Sequence, residues 1–182
     1  MTLRRGSGAI LAGTVALGGA RMPVPAQFPA AAGAGPCRIV WDGATKGGDT
    51  QTAHADLKLT RNAPQADGSF IMFGEGDATV TYQPGRAGAR VTAGSPFTAK
   101  LEVTLTSADG KTATVDIDIA PDEGDHTVVV DPGGFTFATE AEMPPPVTVP
   151  LKDGVTTPYT ESHGSGSMKH EKTGTITLHY CP

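Results

Sequence analysis

The chain has 182 residues, of which 38% are hydrophobic and 18% charged, a balance typical of one globular domain. Its formal net charge of −5 excludes a protein built around a basic nucleic-acid-binding face, so we expect no nucleic-acid partner. The 24 glycines and 15 prolines favour short strands joined by turns over long helices.

Residues 1–20 have the pattern of a secretory signal peptide. Arg4 and Arg5 form a positive amino-terminal region, and an apolar stretch follows over residues 9–20. Small residues at 18–20 offer a cleavage site, and residues 24–26 offer a later one. The stretch is too short to cross a bilayer, so we expect no membrane span. The pattern predicts a periplasmic or extracellular protein; the alternative is a disordered leader without a targeting role.

Residues 21–36, rich in Pro, Ala and Gly, are predicted to be a flexible linker before a single domain over 37–182. Within that domain, strands alternate with turn residues. The pattern is clearest at Ala53, Ala55, Leu57 and Leu59, which alternate with polar residues. The predicted strands cover residues 37–41, 51–60, 69–73, 78–82, 98–106, 112–119, 126–131, 134–139, 146–150 and 174–181.

About nine or ten short strands with one buried face each predict an all-β fold. We expect a two-sheet antiparallel β-sandwich, immunoglobulin-like or jelly-roll-like, with a small β-barrel as the alternative. The three prolines at 144–146 are expected at a sheet edge or at a crossover between sheets. The layout resembles immunoglobulin-like sandwiches of exported proteins in architecture alone, because those place the disulfide between two inner strands.

One hairpin can be given a register. A three-residue loop over 108–110 puts Gly110 in the left-handed position of a turn and sets Val103 opposite Val115. Apolar residues then face each other across the pair, which is what fixes register in a half-buried sheet. In this register, Glu102 lies opposite Asp116.

The two cysteines lie at the boundaries of the predicted domain. Cys37 opens the first predicted strand and Cys181 closes the last. In an exported protein such a pair predicts a disulfide, and the first and last strands should then be neighbours. A redox or metal pair is the alternative.

Acidic residues form the first candidate site. Like charges opposed on a sheet are unfavourable unless a cation neutralises them, and carboxylate oxygens suit calcium. The spacing matches no calcium-binding loop, so a solvated acidic face is the alternative. The candidate calcium ligands are Glu102, Asp116, Asp118, Asp122 and Asp125.

A second candidate site lies in the segment 163–170. His163 and His170 supply imidazoles and Met168 a thioether, a ligand set that suits copper. The Gly and Ser residues between them instead favour a flexible polar loop.

Trp41, the single tryptophan, is the third candidate. It would stack on a sugar or anchor a protein partner if exposed, and would be a core or rim residue if buried. For catalysis, no nucleophile elbow, phosphate loop or zinc-protease motif is present in the sequence.

These observations favour an exported, non-catalytic binding or structural module with a protein or carbohydrate partner. A calcium- or copper-binding protein is the first alternative. A hydrolase with its catalytic residues dispersed over loops is the second.

Overall fold

The computed structural model describes residues 35–60, 69–166 and 169–181, and these residues confirm the all-β prediction. The predicted signal peptide and most of the predicted linker lie outside them. The eleven strands are β1 (Gly35–Lys46), β2 (Thr50–Thr60), β3 (Phe70–Gln83), β4 (Arg90–Ala93), β5 (Phe97–Ser107), β6 (Thr112–Ile119), β7 (His126–Asp131), β8 (Phe135–Thr139), β9 (Val147–Pro150), β10 (Thr156–His163) and β11 (His170–Cys181).

Eight strands form one antiparallel sheet in the order β10-β11-β1-β2-β3-β5-β6-β9. The sheet curls towards a barrel. Its two edge strands are β9 and β10, and the short connection between them forms hydrogen bonds near both edges of the sheet. In that connection, the Leu151 amide donates to the Lys111 carbonyl at 2.8 Å, and the Gly154 amide donates to the Leu178 carbonyl at 2.9 Å. The fold therefore agrees with the predicted sandwich or small barrel.

The inner face of the curled sheet carries the hydrophobic core. Alternate residues of each strand are buried, as the period of two predicts, and the outer face is polar. The largest fully buried side chains in this core are Trp41, Ile39, Leu57, Leu101, Leu105, Ile117, Ile176, Leu178, Val80, Val115 and Val149.

The small second sheet has the order β4-β7-β8. Val128 and Val130 of β7 are buried against Tyr82 at the end of β3, which joins the small sheet to the large one. The short strand β4 was not predicted, because its four residues contain too little apolar alternation to stand out.

The predicted division of residues 69–82 into two strands is wrong, since β3 is continuous. Gly74 and Gly76 lie on its inner face, where a Cβ on Gly74 would come within 2.3 Å of the Lys58 carbonyl oxygen. Glycine allows the neighbouring backbone this close approach. The same two glycines interrupt the apolar alternation, which is why the sequence suggested a break.

The predicted register of the β5–β6 hairpin is wrong by two residues. Val103 faces Ile117, Glu102 faces Asp118, and Asp116 faces Thr104. A shift of two keeps every side chain on its predicted face, so the hydrophobic pattern could not exclude it.

The hairpin turn explains the observed register. Asp109 accepts hydrogen bonds from the amides of Lys111 and Thr112, both at 2.8 Å. The Ser107 hydroxyl donates to the Thr112 carbonyl at 2.7 Å and accepts from the Gly110 amide. This side-chain network stabilises a longer loop over 108–111, while Gly110 adopts the predicted left-handed conformation with φ of 66°.

The disulfide between Cys37 and Cys181 is confirmed. The two Cα atoms lie 5.7 Å apart, within the usual range for a disulfide. As predicted, β1 pairs with β11 along its whole length. The bond is weak support for an oxidising, extracytoplasmic compartment.

Two further strand predictions need correction. β1 begins at Gly35, inside the predicted linker, and runs to Lys46. β10 lies between the predicted strands 146–150 and 174–181, where no strand was predicted. The prolines at 144–146 precede β9, an edge strand, as expected.

Candidate functional site

A cleft of about 410 Å³ opens where the large sheet meets the small one. Its walls come from the start of β5, the end of β6, the loop 120–125 and the segment that follows β8. We call it the acidic cleft, because three of its eight lining residues are acids and none is Lys or Arg. It is lined by Ala99, Ile119, Glu123, Gly124, Asp125, His126, Glu140 and Ala141.

Glu123 ties the loop of the cleft to strand β5. Its Oε2 atom accepts a hydrogen bond from the Lys100 amide at 2.9 Å, while the Lys100 carbonyl accepts from the Ala120 amide. β6 ends here, so the Glu123 carboxylate, instead of a neighbouring strand, accepts the hydrogen bond from the backbone amide of β5. A carboxylate is thus held at the cleft wall with only 14% of its side chain exposed.

His126 lies beside Glu123 at the start of β7. Its Nε2 atom is 3.1 Å from Oε1 of Glu123, yet this buried nitrogen has no properly oriented hydrogen-bond partner among the described residues. The imidazole stacks on the ring of Phe97 with centroids 4.2 Å apart. The stacking fixes the ring beside the carboxylate.

The segment 139–146, here called the strap, forms another wall of the cleft and crosses one end of the curled sheet. Gln51 of β2 holds it at three points. Its Nε2 atom donates to the Thr139 hydroxyl at 3.1 Å and to the Glu140 carbonyl at 3.0 Å, and its Oε1 atom accepts from the Glu142 amide at 3.2 Å. These bonds place Glu140 and Ala141 at the cleft.

Lys172 of β11 holds the strap from the other side. Its ammonium group donates to the Met143 carbonyl at 3.1 Å and lies 3.5 Å from Oε2 of Glu142. Gln51 and Lys172 thus hold the strap through polar contacts, while Ala141 and Met143 of the strap pack against the hydrophobic core.

An aromatic layer lies below the strap. Trp41 is 1% exposed, and its indole N–H donates to the Tyr159 hydroxyl at 2.8 Å. The two rings lie over glycines, since a Cβ on Gly43 would be 2.7 Å from the indole and one on Gly174 would be 2.5 Å from the Tyr159 hydroxyl. Burial raises the pKa of Tyr159.

The predicted binding role of Trp41 is wrong. A ring this deeply buried cannot stack on a sugar or anchor a partner at the surface. The space between the aromatic layer and the strap is only about 10 Å³, enough for about one water molecule. Trp41 is therefore a residue of the hydrophobic core.

The predicted calcium ligands are not gathered into one site. Glu102 faces Asp118, while Asp116 faces Thr104, since the register differs from the predicted one. Asp122 lies 3.8 Å from the Lys100 ammonium group. Across the residues that the structure describes, no three His, Cys, Asp or Glu side chains lie close enough to hold a metal ion. The geometry thus gives the calcium prediction no support.

The three predicted copper ligands have different outcomes. His163 and His170 are direct partners across the β10–β11 pair, so the structure brings them together. Met168 lies outside the described residues. The predicted flexible loop around the two histidines is in part the end of a paired hairpin.

His126 and Gln51 were not identified as site residues from the sequence. Glu123 and His126 stand three residues apart, but acid and histidine at that spacing carry no specific signal. Gln51 contacts residues about 90 positions away, which nothing local to it could reveal.

The chain matches no protein-family model, no curated protein and no solved structure. The part of the chain that the structure describes contains no helix long and apolar enough to span a membrane.

Proposed function

We propose that this protein is an exported binding module whose acidic cleft takes a small organic cation, such as an amine or a guanidinium group on a short apolar chain. The observation that carries the proposal is the lining of the cleft. Glu123, Asp125 and Glu140 supply negative charge, the residues described as lining the cleft include no Lys or Arg, and the wall between the acids is apolar.

The geometry supports both parts of such a ligand. Amine and guanidinium groups form charge-assisted hydrogen bonds with carboxylates, and a guanidinium group can bind one in a bidentate manner. Ala99, Ile119 and Ala141 offer apolar surface for the chain that carries the charge. The net charge of −5 favours the approach of cations over anions.

The hydrolase alternative gains no support at this site. None of the residues described as lining the cleft carries a hydroxyl or thiol group that could act as a nucleophile. The export part of the proposal is supported by the amino-terminal sequence pattern and by the disulfide.

Calorimetric titration with n-butylguanidinium, n-butylammonium and butyrate tests the proposal. These probes share one alkyl chain and differ in the charged group. We expect the two cations to bind and butyrate not to bind. Binding of butyrate as tight as that of n-butylammonium would contradict the assignment, because the alkyl chain alone would then account for it.

Glu140→Gln and Asp125→Asn locate the binding site, and Glu75→Gln is the control because Glu75 is an exposed acid on the outer face of β3. Each cleft substitution should weaken cation binding about two- to fivefold, since a partly exposed ion pair contributes roughly 0.5–1 kcal/mol. Equal effects of Glu140→Gln and Glu75→Gln would show that the cations respond only to net charge.

A further inference from the structure

Two histidines face each other at the turn end of the β10–β11 hairpin. His163 and His170 are the last register pair of these strands before the connecting segment. Residues directly opposite each other in an antiparallel pair project to the same face, with Cβ atoms about 4.5–5.5 Å apart. Two imidazoles at that separation can reach one metal ion at ordinary nitrogen–metal distances of about 2.0–2.1 Å.

The surroundings leave both rings accessible. The His163 side chain is 63% exposed, and its Nε2 atom lies 2.9 Å from Oε1 of Glu161. His170 is also exposed, and its ring lies over Gly47. A Cβ on Gly47 would be 2.5 Å from the His170 Nδ1 atom, so the Nδ1 edge of the ring is turned towards Gly47 and the Nε2 edge away from it.

We propose that His163 and His170 form a two-histidine site for a divalent first-row transition metal ion, with Cu²⁺ bound most tightly. Imidazole nitrogen suits Cu²⁺, Ni²⁺ and Zn²⁺, and the affinity of such ligands rises towards Cu²⁺ in the series. Because no third His, Cys, Asp or Glu of the described chain completes a group here, water fills the remaining coordination positions.

The site is independent of the acidic cleft. It uses different residues, different strands and a different class of ligand. Failure of cation binding at the cleft would leave it unaffected, and failure of metal binding here would not bear on the cleft.

The test is titration of the full, untagged chain with Cu²⁺, followed by calorimetry and by electron paramagnetic resonance. We expect a site with two nitrogen ligands from imidazole. His163→Ala and His170→Ala should each weaken binding at least about tenfold, because the hairpin holds the second imidazole at a high effective concentration. Thermal unfolding of each variant in the absence of metal checks that the fold is retained.

His54→Ala is the matched control, since His54 is an exposed strand histidine 2.7 Å from Asp42 and far along β2 from the hairpin end. It should bind Cu²⁺ as the unmodified chain does. Gly47→Ala keeps both ligands but displaces the His170 ring, and it should weaken binding too. Unchanged Cu²⁺ affinity in His163→Ala and His170→Ala, or an equal loss in His54→Ala, would overturn the proposal.

Discussion

The two ends of the β1–β11 ladder are held by different kinds of interaction. Near Gly35, the strands are joined by the disulfide between Cys37 and Cys181, and the next inward layer contains the fully buried Ile39 and Leu178. Near Lys46, the neighbouring strap has no covalent link and is held by hydrogen bonds and an ion pair, together with the packing of Ala141 and Met143 against the core. We call these the disulfide end and the strap end.

This difference assigns stability to the disulfide end and ligand binding to the strap end. A covalent bond and an apolar layer are lost only when the domain unfolds, whereas polar contacts to a surface segment open locally at lower cost. Both candidate binding sites lie towards the strap end: the acidic cleft shares the strap as a wall, and the histidine pair lies at the hairpin end nearest Lys46. The contacts that open locally therefore lie at the same end of the molecule as both candidate binding sites.

Removing the disulfide should have the largest effect. Cys37→Ser combined with Cys181→Ser frees a loop with a sequence separation of 144 residues. In the chain-entropy account this lowers the free energy of unfolding by roughly 5 kcal/mol. Urea unfolding measures the loss, and cation binding by the fraction that stays folded should be unchanged. A loss of less than about 1 kcal/mol would mean that the disulfide end does not carry the stability assigned to it.

Added volume in the aromatic layer between the two ends should destabilise the fold. Gly174→Ala would place a Cβ 2.3 Å from the Asp42 carbonyl oxygen and 2.5 Å from the Tyr159 hydroxyl. We expect it to cost roughly 1–3 kcal/mol of stability in urea unfolding, as overpacking does. Gly48→Ala is the control, because a Cβ there meets no atom within 4 Å and should change stability by less than about 0.5 kcal/mol. Similar costs for the two variants would contradict close packing at Gly174.

Removing the Gln51 side chain should loosen the strap alone. Gln51→Ala deletes three hydrogen bonds to residues 139–142, and a hydrogen bond of this kind contributes about 0.5–1.5 kcal/mol. We expect a smaller global loss than from the disulfide variant, together with weaker cation binding at the cleft. Thr52→Ala, an exposed neighbour on β2, should alter neither quantity. If Gln51→Ala leaves calorimetric binding unchanged, the strap does not shape the cleft.

Alkaline pH should produce the smallest effect. The pKa values of all three tyrosines, Tyr82, Tyr159 and Tyr180, are raised, in each case mainly by burial. The folded state therefore binds their protons more tightly than the unfolded state, whose tyrosines titrate near pH 10. Their contribution is complete below that pH and declines above it. Urea midpoints should fall as pH rises past about 10, and less steeply in Tyr159→Phe. Equal slopes in the two proteins would argue against burial as the cause.

The architecture could be predicted where side-chain burial follows the simple period of two. Leu101, Val103 and Leu105 lie inside as expected, and the cysteines predicted which strands are neighbours. The hairpin register could not be predicted, because Asp109 and Ser107 stabilise a loop that the hydrophobic pattern allows equally well. β10 was not predicted because Tyr159 is its single large apolar residue, so the strand shows no apolar alternation.

The candidate sites could be predicted only in part. The histidine pair was identified because His163 and His170 are close in sequence, but the hairpin that sets them opposite each other was not predicted. Of the acidic cleft, the sequence identified only Asp125, as a candidate calcium ligand, since the cleft combines the start of β5, the loop after β6 and the strap. Its residues meet only through the fold, and Gln51, which positions the strap, lies in a strand that contributes nothing else to the cleft.

Amide hydrogen exchange, followed by NMR in the disulfide-bonded protein, tests the central comparison most directly. The Glu142 amide, bonded to the Gln51 side chain, should exchange at least about tenfold faster than the amides of Ile39 and Leu178, because the strap opens without global unfolding. Equal protection at Glu142, Ile39 and Leu178 would show that both ends open only together, and would contradict the separation of stability from binding.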